Sequence, residues 1–132
     1  MATLTTPEGS YRCIVTTGYF SNQLKLYWTT DPVGKWTDKA MIHSRVIGGT
    51  SGHVFDIQIT DLNNDGNPDF LVTTNGNNDA AVYAFEVPRD FRTDNFVKHI
   101  LMSGFHTGGF LPGSGAPGSA QVIKDTNYYE NE

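Results

Sequence analysis

The sequence predicts an all-β chain of repeated four-stranded antiparallel units, and three observations carry that prediction. Fourteen Gly, six Pro and many Asn and Asp are interspersed with Val, Ile, Thr, Tyr and Phe, the mixture expected of short strands joined by tight turns. No segment sustains a helical period of apolar residues. Third, the chain repeats itself. Val15-Thr16-Thr17 recurs as Val72-Thr73-Thr74 at an offset of 57, and Leu24, Leu26 and Tyr27 recur as Val82, Ala84 and Phe85 at 58. An aromatic follows in each copy (Trp36, Phe96), then Ile42 and Ile100, and self-similarity at a fixed period marks a repeat architecture.

Taken in chain order, residues 11–47 form an incomplete first unit, because the match begins at Arg12 and residues 1–10 align with a loop of the second copy. Residues 54–101 form a complete second unit. Its first strand, VFDIQIT, alternates, with Val54, Asp56, Gln58 and Thr60 on one face and Phe55, Ile57 and Ile59 on the other. DFLVTT (69–74) follows an acidic loop. NGNND (75–79) then makes a hairpin turn, since Asn-Gly accepts positive backbone angles. AAVYAFEV (80–87) and FVKHIL (96–101) complete the unit across a polar PRDFRTDN connection. After a Gly/Pro-rich approach, residues 118–127 (GSAQVIKDTN) offer one further strand.

In unit terms the expected order is 2-3-4, then 1-2-3-4, then 1. Four short strands in just under 60 residues suggest a β-propeller blade, and two blades do not close a ring that typically needs at least four. Residues 1–132 are therefore expected to be a single propeller-type unit of about two blades. It is either a piece of a longer propeller or a subunit that assembles head to tail, its terminal strand completing a neighbour's open blade.

The loop DLNNDGNPD carries the chemistry. Counted from Asp61, oxygen side chains stand at positions 1 (Asp61), 3 (Asn63), 5 (Asp65) and 9 (Asp69), with Gly66 at 6 and Asn67 able to offer its carbonyl at 7. Calcium takes about six to eight oxygens, and alternate positions of a curled loop point inward while glycine permits the bend. The loop resembles an EF-hand at its start. It departs at position 12, where Val72 replaces the bidentate Glu, and its flanks are strands. The competing reading is an Asx-turn whose side chains cap their own backbone.

This spacing, ahead of a strand and within a repeat of this length, resembles the FG-GAP or VCBS repeat family, whose members form β-propeller blades in integrin α-subunits, fungal lectins and certain fungal lyases acting on sugar derivatives. The resemblance is best over 54–101, moderate over 11–43 and weak at the ends. It implies Asp61, Asn63, Asp65 and Asp69 as side-chain ligands of Ca2+, with Asn67 using its carbonyl. The first copy keeps Gly9 and Glu8 in place of Gly66 and Asp65. Leu4, Thr6 and Arg12 stand where Asp61, Asn63 and Asp69 do, so that loop is expected to keep the turn and lose the ion. Asp125 and Asn127 begin a third such pattern, but Glu130 occupies the glycine position.

Other chemistry finds little support. A net charge of −5 and a pI near 5.2 disfavour nucleic acid and anionic membranes, which favour clustered Lys and Arg. No apolar run approaches the roughly 20 residues of a membrane span. The lone Cys13 excludes an internal disulfide and reads as a small buried filler. His43, His53, His99 and His106 include no metal-spaced pair, and no G-x-S-x-G elbow appears. The Gly-rich stretches 48–52 and 108–118 lack a nucleotide-loop Lys. Among the aromatics (Tyr19, Phe20, Tyr27, Trp36, Tyr128, Tyr129), Trp28 is expected to be exposed for ligand contact, because it matches the polar Glu86. The expected function is a binding or scaffold module for carbohydrate or a protein surface. The alternatives are the propeller part of a sugar-transforming lyase and a self-assembling structural subunit. Residues 1–20 show no signal-peptide pattern; an extracellular setting is expected from calcium availability.

Overall fold

A computed structural model describes residues 1–30, 36–76, 79–106 and 117–123. The chain is all-β, with two four-stranded antiparallel sheets whose strands follow sequence order. The first sheet comprises β1 (Ala2–Thr6), β2 (Gly9–Gly18), β3 (Gln23–Thr29) and β4 (Ile42–Gly49). The second comprises β5 (His53–Thr60), β6 (Asp69–Asn75), β7 (Ala80–Glu86) and β8 (Val97–Phe105). A 3-10 turn, Lys39–Met41, precedes β4, and Asp38 caps it by accepting from Ala40 N. No helix among the described residues is long and apolar enough to cross a membrane.

The first sheet corrects the expected strand order: both units read 1-2-3-4. Residues 2–6 pair with β2 in an unbroken register from Ala2↔Cys13 to Thr6↔Gly9. The cause is period-two burial, with Ala2, Leu4 and Thr6 inward and Thr3 and Thr5 outward. With one large apolar residue in five, that pattern is faint in sequence. Where the second sheet has the acidic loop, the first has a two-residue turn, Pro7-Glu8, and Gly9 closes it at φ +136°. The expected strand at 118–127 is also corrected, as residues 118–123 form no strand. Val122 N instead donates to Gln58 Oε1 of β5 at 2.8 Å, and residues 124–127 lie outside the described set. Head-to-tail strand complementation loses its premise, since the first sheet has its own first strand.

One face of each sheet meets the other in a common core. Leu4, Cys13, Leu24, Leu26, Trp28 and Ile47 come from the first sheet, with Val54, Phe70, Val72, Tyr83 and Phe85 from the second. A bulge between Val54 and Asp56 overturns the simple alternation of β5. The extra residue turns Val54 inward beside Ile57 and Ile59 and leaves Phe55 half-exposed, as a two-against-one pairing requires. Cys13 is fully buried and burial pushes its thiol up to about 12, which suits an inert filler.

The sheets join closely at Gly48, where an added Cβ would come within 2.5 Å of Phe85 Cε1. Tyr83 Oη accepts from Ser51 N at 3.0 Å. The glycines of 48–52 thus allow two sheets to approach, which accounts for that stretch by packing. Most of 108–118 lies outside the described residues, as do Tyr128, Tyr129, Asp125, Asn127, Glu130 and part of the 75–79 turn.

The β7–β8 connection docks onto the first sheet. Arg45 donates to the carbonyls of Phe91 and Asp94, each at 3.0 Å. Arg92 pairs with Asp90 and with Glu8, both at 2.7 Å, and lies over the Tyr11 ring. Hydrogen bonds from Arg92 hold the Asp90 carboxyl below its ordinary value of 3.8. A carboxyl with a lower pKa folded than unfolded adds stability above its ordinary pKa and loses it as pH falls through the folded value. The stability difference between wild type and Asp90→Asn should therefore be constant above about pH 5 and shrink in more acidic buffer. Urea titrations along a pH series measure it; a difference that does not shrink in acid would exclude the linkage.

Candidate functional site

The acidic loop begins where the β5–β6 ladder ends at the pair Thr60↔Asp69. Its bend needs left-handed backbone at Asn64 (φ +60°) and Gly66 (φ +89°), conformations that Asn tolerates and Gly adopts freely. Side-chain oxygens turn inward as a result. Asp61 accepts from Asp65 N at 3.2 Å and Gly66 N at 3.0 Å. Asn63 Oδ1 accepts from the same Asp65 N at 3.0 Å. Asp65 Oδ1 accepts from Asn67 N at 2.7 Å, and its Oδ2 accepts from the Asn63 amide at 3.1 Å. Because Asp61 and Asn63 share one N–H donor, their oxygens are brought together at the centre of the turn.

Asp69 behaves differently. It is 2% exposed, and its two oxygens accept from Leu62 N and Val87 N, both at 3.0 Å. One carboxylate thus ties the loop's entry to the end of β7, giving the residue a framework role that its ligand spacing did not suggest. Each carboxylate oxygen keeps a further lone pair.

The donor set is all hard oxygen, which suits calcium better than a softer metal. Among the described residues no three His, Cys, Asp or Glu side chains gather closely enough to hold a metal by themselves. A calcium ion would have to combine Asp61 and Asp65 with the Asn63 amide oxygen and main-chain carbonyls. The same oxygens already serve the backbone as Asx-type caps. The residues therefore fit a calcium loop whose turn is preformed by its own hydrogen bonds.

Tertiary structure adds what the spacing could not. A cleft of ≈ 370 Å³ lies beside the loop, lined by Thr5 and Thr6 from β1, Asp65 and Asn67 from the loop, Glu86 at the end of β7 and Arg89 beyond it. It joins the two sheets at the end that carries the β1–β2 turn. No short-range motif could reveal it, since its walls are 80 residues apart in the chain.

Trp28 is corrected: it is buried, at 8% exposure. Its ring stacks on His43 at 5.6 Å and meets Phe91 edge-on at 5.5 Å. By pairing register its structural counterpart is the buried Phe85, since Trp28 pairs with Cys13 as Phe85 pairs with Phe70. Glu86, the match by sequence, is one residue on, where alternation turns it to the other face, and it lies 3.3 Å from His99. Among the described residues the exposed aromatics are instead Tyr19, Phe20 and Phe55.

Comparisons with protein-family models, curated proteins and solved structures found no match.

Proposed function

We propose that the chain is a calcium-stabilised binding or scaffold module, made of two propeller-type blades, that presents one end to carbohydrate or to a protein surface. The observation that carries this reading is the convergence of Asp61, Asn63 and Asp65 in a preformed turn that also lines the cleft between the sheets. The FG-GAP/VCBS-like spacing of the loop supports it. Bound calcium would neutralise the carboxylates and pin the β5–β6 connection, serving stability. An extracellular setting accords with such a site, since extracellular calcium modules operate at about 10⁻⁴–10⁻³ M.

Thermal melting in chelator and in calcium tests the reading. At about 100 times the dissociation constant, calcium should stabilise the wild type by about 2.7 kcal/mol. Asp65→Ala, at an exposed position, should fold normally in chelator and lose that response. An equal calcium response in both proteins would remove Asp65 from the site, and no response in the wild type would end the proposal.

A further inference from the structure

At the opposite end of the sheets the β2–β3 turn meets the start of β5. Tyr19 stacks there on His53, with centroids 4.6 Å apart and planes at 19°, and Phe20 stands edge-on to both rings. The turn passes through Asn22 in left-handed backbone at φ +52°. Asn22 N donates to Gly18 O, and Thr50 N donates to Asn22 O, each at 2.9 Å. The backbone thus fixes where the Asn22 side chain sits.

Three acceptors converge on that side chain, and its amide fits among them in two orientations. With the oxygen inward, Oδ1 lies 3.0 Å from His53 Nδ1, which is also 2.9 Å from Tyr19 O. Both oxygens only accept, so this orientation requires a hydrogen on Nδ1. With the nitrogen inward, the amide donates to Tyr19 O at 3.0 Å, Gly52 O at 3.2 Å and Nδ1 at 3.0 Å. That orientation requires Nδ1 to carry no hydrogen. A neutral imidazole can leave Nδ1 bare, whereas an imidazolium has hydrogen on both nitrogens. The inward nitrogen serves three acceptors, and the inward oxygen gives up Gly52 O.

We propose that His53 and Asn22 form a proton-operated latch on the β2–β3 turn. In the neutral ring the hydrogen is on Nε2, and the Asn22 amide clamps Tyr19 O, Gly52 O and Nδ1 together. When Nδ1 takes a proton from solvent, its N–H donates to Tyr19 O and to Oδ1. The amide turns over, and its bond to Gly52 O is lost. The new charge lies against the Tyr19 ring, whose face attracts a cation. An imidazole changes charge between about pH 5 and 8, so mild acid releases the tip from the β4–β5 connection.

The titratable groups on the surrounding elements are engaged elsewhere. Asp79 Oδ2 accepts from Gly52 N at 3.1 Å, and Tyr83 Oη accepts from Ser51 N at 3.0 Å. Lys98 donates to Gly49 O at 3.0 Å. On β5 itself Asp56 stands beyond the bulge, and residues 18–22 carry no charged side chain. The latch does not depend on the acidic loop.

Nitrogen NMR of the histidine rings and side-chain amides, recorded on the whole chain along a pH series, tests it. At neutral pH His53 should carry its hydrogen on Nε2, and the Asn22 amide resonances should move as that ring titrates. Asn22→Asp keeps the turn, because Asp also tolerates left-handed backbone, but it offers acceptors alone. It should shift the His53 midpoint to higher pH, since an adjacent carboxylate favours the charged ring. The midpoint of His99, which pairs with Glu86 on another strand, should stay where it is. A hydrogen on Nδ1 at neutral pH would overturn the latch. So would Asn22 amide resonances that ignore the His53 titration, or a His53 midpoint that Asn22→Asp leaves unchanged. The first two outcomes are read in the wild type and stand whatever the variant does.

Discussion

Phe91→Ala should lower the free energy of unfolding by about 3–5 kcal/mol, the range for truncating a fully buried Phe. The ring is completely buried although it lies in a loop. It meets Tyr11 at 5.9 Å and Trp28 at 5.5 Å, edge-on to both. It is thus the part of the second unit that closes the first unit's face, and its loss leaves a cavity that rigid strands on both sides cannot fill. Edge-to-face pairs add about 0.5–1.5 kcal/mol beyond burial. Denaturant titration reads the change as a lower midpoint. Phe91→Leu should restore part of it, because much of the volume returns. A loss below about 1 kcal/mol would place the effect among ordinary surface changes and contradict the wedge.

Asp69→Ala should destabilise by about 3 kcal/mol or more, since hydrogen bonds to a charged group are each worth about 1.5–3 kcal/mol. The substitution leaves Leu62 N and Val87 N without their acceptor, near a side chain that is almost wholly buried. Measurement in chelator separates this role from calcium: Asp69→Ala should be strongly destabilised there, whereas Asp65→Ala, which loses only exposed turn bonds, should be destabilised far less. Asp69→Asn should fall between wild type and Asp69→Ala, because one amide oxygen can serve one of the two donors. If Asp69→Ala matched the wild type in chelator and differed only in calcium, the residue would act as a ligand alone.

The two predictions show how sequence and structure divide the information. The repeat offset placed most strands, and Val15 and Val72 both lie in the second strand of their sheets. It assigned the wrong face in the third, however. The core residues are Leu24, Leu26 and Trp28 in β3 and Ala81, Tyr83 and Phe85 in β7, an offset of 57 where the sequence match reads 58. The acidic loop was legible down to single residues, since its turn is closed by bonds within a few positions. Asp61, Asn63 and Asp65 converge as their spacing implied. Asp69 was legible as an inward oxygen, but its partner Val87 is 18 residues away, so its framework role was not. The strand at Ala2–Thr6 was missed because a short run of Thr and Ala carries little hydrophobic signal until a neighbour covers one face. The Val54 bulge was missed because alternation fixes faces only while pairing stays one-to-one.

By itself the sequence determined the all-β class, the two repeated units and the oxygen-rich corner of the second. These depend on local periodicity, turn chemistry and ligand spacing, all of which act over a few residues. Only the tertiary structure decided which aromatic rings are covered and where the two units share a cleft. It buried Trp28 beneath Phe91, left Tyr19 and Phe20 at an open tip, and set Thr5 opposite Asp65. The physical reason is that exposure belongs to pairs of surfaces: a residue's neighbours along the chain fix which way it points, and a distant segment decides whether anything lies there.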